Sequence, residues 1–292
     1  MFNQLLINSI IAGSTYTLIA LSFSLIYSTT KFFHFAHGAV YTFCPYFAYL
    51  FTIILGMPLF ISIPLAIVLS AIVGILTELV IYKPLRQKGT TPLILLLASL
   101  GIYIVLQNII SMTFGDDTKT LRSGIVKEGL EFLGARITPI QIAIIIVSML
   151  LLIGCRALMR YTKMGTAMRA VASDPDLAVI SGINSDRVIL FTFAIGSALA
   201  GVAAILVSFD IDMTPTMGMN ALMMGVVAVI IGGVGSIPGA ALGGFLLAFA
   251  QNFGVWKISS QWQDAIAFII LLLFLLYRPY GFFGKKIRKV EV

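Results

Sequence analysis

The chain has 292 residues, of which 59% are hydrophobic and 11% are charged, and its formal net charge is +7. Its mean hydropathy is +1.04, whereas soluble domains carry about 25% charged residues, so this composition excludes a soluble globular protein and indicates a membrane protein. In a membrane chain basic residues report topology first, so we expect membrane lipid as a partner and no nucleic acid. Cys44 and Cys155 lie in apolar segments without metal-ligand spacing, and we expect both to be packing residues.

Nine apolar segments are candidate membrane spans, because a transmembrane helix needs about 20 predominantly apolar residues. We expect an all-α polytopic membrane protein with about eight to nine transmembrane helices, forming a single transmembrane domain over residues 1–292. The seventh and eighth segments, 219–234 and 238–254, are short and are separated by "GGVG" and "SIPG". This pattern predicts two tilted helices or one broken, re-entrant element. The segments are 4–28, 34–55, 59–82, 91–113, 138–160, 188–209, 219–234, 238–254 and 261–279.

Basic residues orient these segments. Of the 19 Lys and Arg residues, 14 fall on one side of the layout, and the positive-inside rule makes that side cytoplasmic. The N-terminus is then outside, and the C-terminus, with Lys285, Lys286, Arg288 and Lys289, is inside. Segments 11–27 and 195–209 are predicted to run in opposite directions, and each is followed by an interruption. This pattern predicts an inverted repeat; the alternative is that two apolar segments are similar by chance.

The longest cytoplasmic segment, with a loop at about 161–187, carries its own helix signals. Asp174 is predicted to cap a helix whose first residue is Pro175, and Asp176 adds negative charge at the positive end of the helix dipole. Gly182 supplies a left-handed C-cap. The resulting helix, about 175–181, is too short to be stable alone, since isolated helices under about 12 residues are marginal in water.

This short helix therefore has to dock against something. Leu177 and Ile180 lie three residues apart and share one face, beside Ala178 and Ser181. The face packs either on the helix ends of the protein itself or on a partner.

The motif Asp176-Leu177-Ala178-x-x-x-Gly182 resembles the Glu-Ala-Ala-x-x-x-Gly loop of ABC-importer permeases, with Asp for Glu and Leu for the first Ala. The resemblance covers nearly the whole chain, in family order, and is to the branched-chain amino acid (LIV-type) permeases, in particular their LivH-like branch. The strings that carry it are "GTAMRAVASDPDLAVISGINSDRVILFTFAIGSALAG" at 165–201, "FAHG" at 35–38, "YKPLR" at 82–86, "TPLILLLASLGIYIVLQN" at 91–108, "GGVGSIPGAALGG" at 232–244 and "DAIAFIILLLFLLYRPYGFFG" at 264–284.

The resemblance implies a permease subunit of a binding-protein-dependent ABC importer in the bacterial cytoplasmic (inner) membrane, forming the translocation path for branched-chain amino acids. It implies as partners a second permease subunit (a paralogue or a second copy), two ATP-binding cassette subunits and a periplasmic or lipid-anchored solute-binding protein. It also implies that the short helix seats in a cleft of the ATPase subunit. The expected coupling residues are Arg169, Asp174, Pro175, Asp176, Leu177, Ala178, Ile180 and Gly182.

The chain contains no GxxxxGK[ST] phosphate loop, because "GKK" at 284–286 lacks the glycine spacing and the hydroxyl residue. We therefore expect no cofactor bound by this chain, with ATP and magnesium on the partner subunits. We expect no enzymatic activity of the chain itself, since no set of acid, base and nucleophile converges.

Substrate sites are expected where helices break, since interrupted backbone at membrane depth must line a cavity or be buried in protein. His34 and His37, the two histidines of the chain, have no Asp, Glu or Cys at ligand spacing, so we expect no metal site. A hydrogen bond from His37 that holds the broken helix is favoured over lining of the path. The candidate path residues are His34, Phe35, His37, Gly38, Asn108, Met217, Gly218, Asn220, Gly232 and Gly233.

Four further expectations concern packing and alternatives. Gly239 and Gly243 fit close helix packing, and Glu78 is predicted to form a structural ion pair with Lys83. By substrate, the alternative is the urea or short-amide branch of the same family. By class, it is an ion-coupled secondary transporter, which would require an acidic residue in mid-membrane.

Overall fold

The computed structural model describes residues 1–122, 129–132 and 134–284. The four basic residues of the C-terminal segment used for the sequence-based orientation lie outside these ranges. The helices are α1 Phe2–Thr30, α2 Ala36–Tyr49, α3 Leu59–Thr77, α4 Lys83–Gln87, α5 Pro92–Phe114, α6 Pro139–Tyr161, α7 Lys163–Ser173, α8 Pro175–Ile180, α9 Ser185–Asp210, α10 Met217–Gly232, α11 Ile237–Gly254 and α12 Gln263–Tyr277.

Shorter elements complete the chain. A π-helical turn, Leu50–Ile54, extends α2, and a second one, Glu78–Tyr82, joins α3 to α4. A 3-10 turn, Ser260–Trp262, precedes α12. Strands β1 (Leu130–Phe132) and β2 (Ala135–Ile137) form an antiparallel hairpin.

The predicted all-α polytopic membrane fold is confirmed, but the predicted number of spans is too high. Within the described residues, six helices are long and apolar enough to cross a membrane, and the pair α10 and α11, bent by 115°, makes seven if counted as one broken span. The difference arises at the breaks. Helices α2 and α10 have 14 and 16 residues, fewer than the about 20 that a full span needs.

Helices α1 and α9 form the centre of the bundle and pack antiparallel. Near one end, a Cβ at Gly196 of α9 would lie 2.8 Å from the side chain of Ile26 of α1. Near the other end, Leu206 packs on Ile7 and Ile11. A small residue at the crossing lets the two backbones approach closely, as is usual between helices in lipid.

The halves α1–α2 and α9–α10 share one order of elements, and their long helices run antiparallel. Each long helix is followed by a break and a short buried helix, and each short helix packs on the long helix of the other half. Cys44 of α2 lies 2.8 Å from a Cβ placed at Gly201 of α9, and Ile19 of α1 lies 2.5 Å from one placed at Gly225 of α10. These two contacts show that each half packs its long helix against the short helix of the other.

The hairpin lies at the end of the bundle where α1 begins. The side chain of Gln4 accepts the N–H of Arg136 at 2.8 Å and donates to its carbonyl at 3.0 Å. Arg122 forms an ion pair with Asp212 at 2.7 Å, and the hydrogen bond from this guanidinium lowers the pKa of the Asp212 carboxyl. The opposite end carries α4, α7 and α8, the segments that the sequence assigns to the cytoplasm.

Single cysteines test which end faces the cytoplasm. With both native cysteines buried, a thiol at Lys257 should react with an impermeant reagent added outside the cell, whereas thiols at Lys88 and Ser173 should react only after permeabilisation. All three positions are exposed, so access and not burial decides the result. Labelling of position 88 from outside would reverse the orientation.

Candidate functional site

Helix α7 anchors the segment that carries α8 to the bundle. The Thr162 hydroxyl accepts the N–H of Gly165 at 2.9 Å and caps the start of α7. Met168 and Val171 are fully buried and pack with Cys155 of α6 and Leu21 of α1. The buried position of Cys155 agrees with its predicted packing role.

Both predicted caps of the short helix α8 are present. The Asp174 carboxylate accepts the N–H groups of Asp176 and Leu177, each at 3.0 Å, and Pro175 occupies the first turn, where no N–H is needed. At the other end Gly182 has φ 81°, a conformation that L side chains disfavour. The helix ends at Ile180, one residue before the predicted end.

A Schellman motif follows this helix and attaches it to the bundle. The N–H of Ile183 bonds to the carbonyl of Ala178, and the N–H of Gly182 bonds to that of Val179, both at 2.9 Å. Ile183 then packs in the cluster of Met168 and Val171. The short helix is therefore held at both ends.

The exposed face of α8 differs from the predicted one. Ala178 is 3% exposed and packs inward, so it anchors the helix and does not belong to its outer face. Leu177 is 60% exposed and Ile180 81%, and Val179, which the sequence argument missed, is 58% exposed. Arg169 of α7 is also exposed, and donates to Thr166 Oγ1 at 3.3 Å.

The break between α1 and α2 is buried in protein. Lys31 adopts φ 58° and ends α1, and the chain crosses into α2 through residues 32–35. The Ser99 hydroxyl of α5 accepts the N–H of Phe35 at 3.1 Å. Its proton is shared between the carbonyls of Leu96, at 2.7 Å, and Phe33, at 3.1 Å. These bonds satisfy main-chain groups that a continuous helix would have paired.

His34 and His37 lie together inside this break, their ring centroids 5.7 Å apart. His37 Nε2 is 2.9 Å from Ser22 Oγ, and because that hydroxyl donates to the Ile19 carbonyl, it accepts from His37 Nε2–H. The predicted hydrogen bond from His37 is therefore present. His34 Nδ1 is 2.9 Å from the hydroxyl of Tyr82. Within the described residues, no group of three or more His, Cys, Asp or Glu is close enough to hold a metal ion.

Two glycines proposed for the path form a backbone contact. A Cβ at Gly38 would lie 2.8 Å from the carbonyl oxygen of Gly218, and one at Gly218 would overlap the carbonyl of Gly38. Helices α2 and α10 cross at this point. Met217, the first residue of α10, is half-buried in the cluster that contains Tyr46 and Phe47.

The glycines at the break between α10 and α11 also make backbone contacts. A Cβ at Gly232 would overlap Gly239, and one at Gly243 would overlap the carbonyl of Ala228, as expected for the predicted packing role of Gly239 and Gly243. The N–H groups of Phe282 and Phe283 bond to the carbonyls of Ile231 and Gly232 at 3.0 Å. Gly233, at φ 101°, lies against the backbone of this C-terminal segment.

The two candidate asparagines do not join the buried break. Asn108 is exposed on α5, where its amide donates to the carbonyl of Ile104 one turn earlier at 2.7 Å. Asn220 is exposed near the start of α10. Both side chains face away from the helical bundle.

The predicted ion pair between Glu78 and Lys83 is wrong in its partners. Glu78 is fully buried and accepts from Arg86 at 2.5 Å, while Lys83 pairs with Asp186 of α9 at 3.2 Å. The π-helical turn Glu78–Tyr82 rotates the following residues relative to a regular α-helix, which changes the partner. Tyr82 and Arg86 are not among the site residues predicted from the sequence. Both lie in the string "YKPLR", which is the sequence signal that could have pointed to them.

These features define a class of protein, a multi-pass α-helical membrane permease with broken helices at its centre and a docked helix at one end. Residues 5–275 match the family model described as "Branched-chain amino acid transport system / permease component", and the chain belongs to this family. The match confirms the resemblance seen in the sequence.

Two curated relatives match along nearly their whole lengths. The chain is 37% identical to the high-affinity branched-chain amino acid transport system permease protein BraD of Pseudomonas aeruginosa, over 97% of this chain and 95% of the relative. It is 36% identical to the permease protein LivH of Escherichia coli K12, over 97% and 96%. The xylose transport system permease protein XylH of E. coli K12 matches only 42% of this chain and 34% of its own length, at 31% identity. No solved structure matches.

The glycine contact between α2 and α10 can be tested by adding one methyl group. Gly218→Ala should destabilise the protein by about 1–3 kcal/mol, the usual cost of overpacking, and Gly38→Ala by less, because its added Cβ has more room. Thermal unfolding in detergent measures the difference.

Gly101→Ala on α5 is the matched control, since a Cβ there meets nothing within 4 Å. Replacing this helical glycine should leave stability unchanged or raise it by about 0.5–1 kcal/mol. An unchanged melting temperature in Gly218→Ala would instead favour the predicted role of the glycine pair in lining the path.

Proposed function

We propose that this permease subunit forms the translocation path for branched-chain amino acids in a binding-protein-dependent ABC importer of the bacterial cytoplasmic membrane. The substrate class is supported by the nearly full-length similarity to BraD and LivH. The chain has no enzymatic activity and no cofactor of its own in this proposal. Two separate ATPase subunits bind ATP and magnesium, and a solute-binding protein delivers the amino acid.

Helix α8 carries the coupling proposal. It exposes three apolar side chains, Leu177, Val179 and Ile180, at the end of the bundle that the basic residues assign to the cytoplasm. Exposed apolar side chains on a rigidly capped helix are suited to bind in a cleft of a partner protein. Because Asp174 and Gly182 fix its ends and Ala178 anchors it, a force applied to α8 reaches the bundle without unfolding the helix.

The outward-facing asparagines support a path at the surface of this chain. Uncharged amides in membrane segments usually face a cavity or another helix, since lipid offers them no partner. Because Asn108 and Asn220 point away from the bundle, a path that includes them is closed by a second permease subunit.

The coupling role of α8 predicts the effect of a charge on its exposed face. Leu177→Asp should abolish co-purification of the ATPase subunits, because an unpaired charge buried in an apolar contact costs about 3–5 kcal/mol. Expression and membrane insertion should be retained, since Leu177 lies outside the spanning helices and is already exposed.

Leu130→Asp is the matched control for this experiment. Leu130 lies in the hairpin at the opposite end and is 58% exposed, against 60% for Leu177. The control should bind the ATPase subunits like the wild type. Intact ATPase binding together with wild-type uptake in Leu177→Asp would refute the coupling role.

The substrate proposal is tested with the complete transporter in proteoliposomes. Labelled leucine should accumulate only with ATP and the binding protein present, and unlabelled isoleucine and valine should compete with it. Urea and acetamide should not compete. ATP-dependent uptake of labelled urea with no uptake of leucine would instead establish the short-amide alternative.

A further inference from the structure

Helix α9 connects the coupling segment directly with the buried break. It begins at Ser185, shortly after the Schellman motif that attaches α8. Asp186, Ile189 and Phe193 follow at helical spacing and share one face. This face lies against α4 and the π-helical turn Glu78–Tyr82, and Ile189 and Phe193 pack in one apolar cluster with Tyr82 and Phe32.

Charges join the first turn of α9 to the beginning of the π-helical turn. The Asp186 carboxylate lies 3.2 Å from Lys83 Nζ and 3.5 Å from Arg86 Nη2. The same Arg86 nitrogen donates to Glu78 at 2.5 Å. Since Glu78 is completely buried, its charge depends on Arg86 for compensation. A displacement of Asp186 therefore acts on a buried ion pair.

Aromatic rings join the next turns of the same face to the other end of the π-helical turn. The Phe193 ring centroid lies 5.8 Å from that of Tyr82 and 5.1 Å from that of His34. The Tyr82 hydroxyl bonds to His34 Nδ1 at 2.9 Å. The beginning of the turn is thus linked to the coupling segment through Arg86, and its other end contacts the break.

The π-helical geometry of this turn is itself significant. Such turns are rare, are less regular than α-helix and concentrate at functional sites. A wide turn and a regular α-turn differ in the register of all residues that follow. A change between the two registers would be a two-state step of the kind that transmission between distant sites requires.

We propose that Asp186 and Tyr82 are positioning residues of one relay, through which movement of α8 changes the helix break at residues 31–35. The relay rests on the proposed coupling function of α8. When the ATPase subunits displace α8, the first turns of α9 move with it. Asp186 then shifts Arg86 and Glu78, and the π-helical turn passes the shift through Tyr82 to His34.

The experiment compares Asp186→Asn and Tyr82→Phe in the assembled transporter. Each variant keeps the size of the side chain and removes one contact of the relay. The measured quantity is the number of amino acids taken up per ATP hydrolysed, together with the melting temperature of the complex. We expect this ratio to fall roughly 2- to 30-fold in each variant, the usual range for mutations that alter coupling. The melting temperature should be unchanged in Asp186→Asn and lower in Tyr82→Phe, because the latter leaves the buried His34 Nδ1 without its partner.

The double variant and a rescue variant separate a relay from two local effects. In Asp186→Asn/Tyr82→Phe the ratio should fall no further than in the more impaired single variant, because both changes interrupt the same connection. Asp186→Glu, which keeps the charge, should restore most of the coupling. Asp117→Asn, which removes an exposed ion pair with Lys119 at the other end of the bundle, should have the wild-type ratio.

A wild-type ratio in both single variants would overturn the relay, and so would additive losses in the double variant. Neither result would affect the proposed function, because the wild-type chain would still assemble and couple. By contrast, failure of the wild-type chain to assemble with ATPase subunits would refute the proposed function, and the relay with it.

Discussion

The structure depends on one constraint, that a helix interrupted inside a membrane must satisfy its freed main-chain groups within the protein. The break at residues 31–35 meets it with the Ser99 hydroxyl, which bonds to the main chain on both sides of His34, at Phe33 and at Phe35. His34 and His37 add bonds to Tyr82 and Ser22. Three further segments are thereby tied to one irregular turn.

The same constraint explains where the glycines lie. An interrupted helix leaves a short piece, α2 or α10, that must be buried by its neighbours. Helix α2 is buried mainly against α9, α3 and α5, and α10 mainly against α11 and α1, while the two pieces also contact each other. Their crossing at Gly38 and Gly218 is so close that neither position has room for a methyl group without movement. Residues that the sequence suggests for a path thus also form the joint that holds the two halves together.

The end of the bundle that carries α4, α7 and α8 contains a rigidly capped helix, α8, and lies close to the π-helical turn Glu78–Tyr82. Helix α8 is capped at both ends and anchored by Ala178, so its two ends and its inner face are all fixed to the bundle. The π-helical turn Glu78–Tyr82 lies between a buried ion pair and a buried aromatic cluster, and such turns occur frequently at functional sites.

The sequence by itself determined the membrane class, the family, the helix breaks and the capped helix at 175–180, because apolar length, glycine and proline positions and capping residues act locally along the chain. Only the tertiary structure decided that Ala178 faces inward, that Asn108 and Asn220 face outward, that Gly38 meets Gly218, and that Glu78 pairs with Arg86. Each of these depends on the rotation of one helix against another. That rotation is set by packing between distant segments, and at Glu78 by a single π-helical turn, which no local pattern in the sequence predicted.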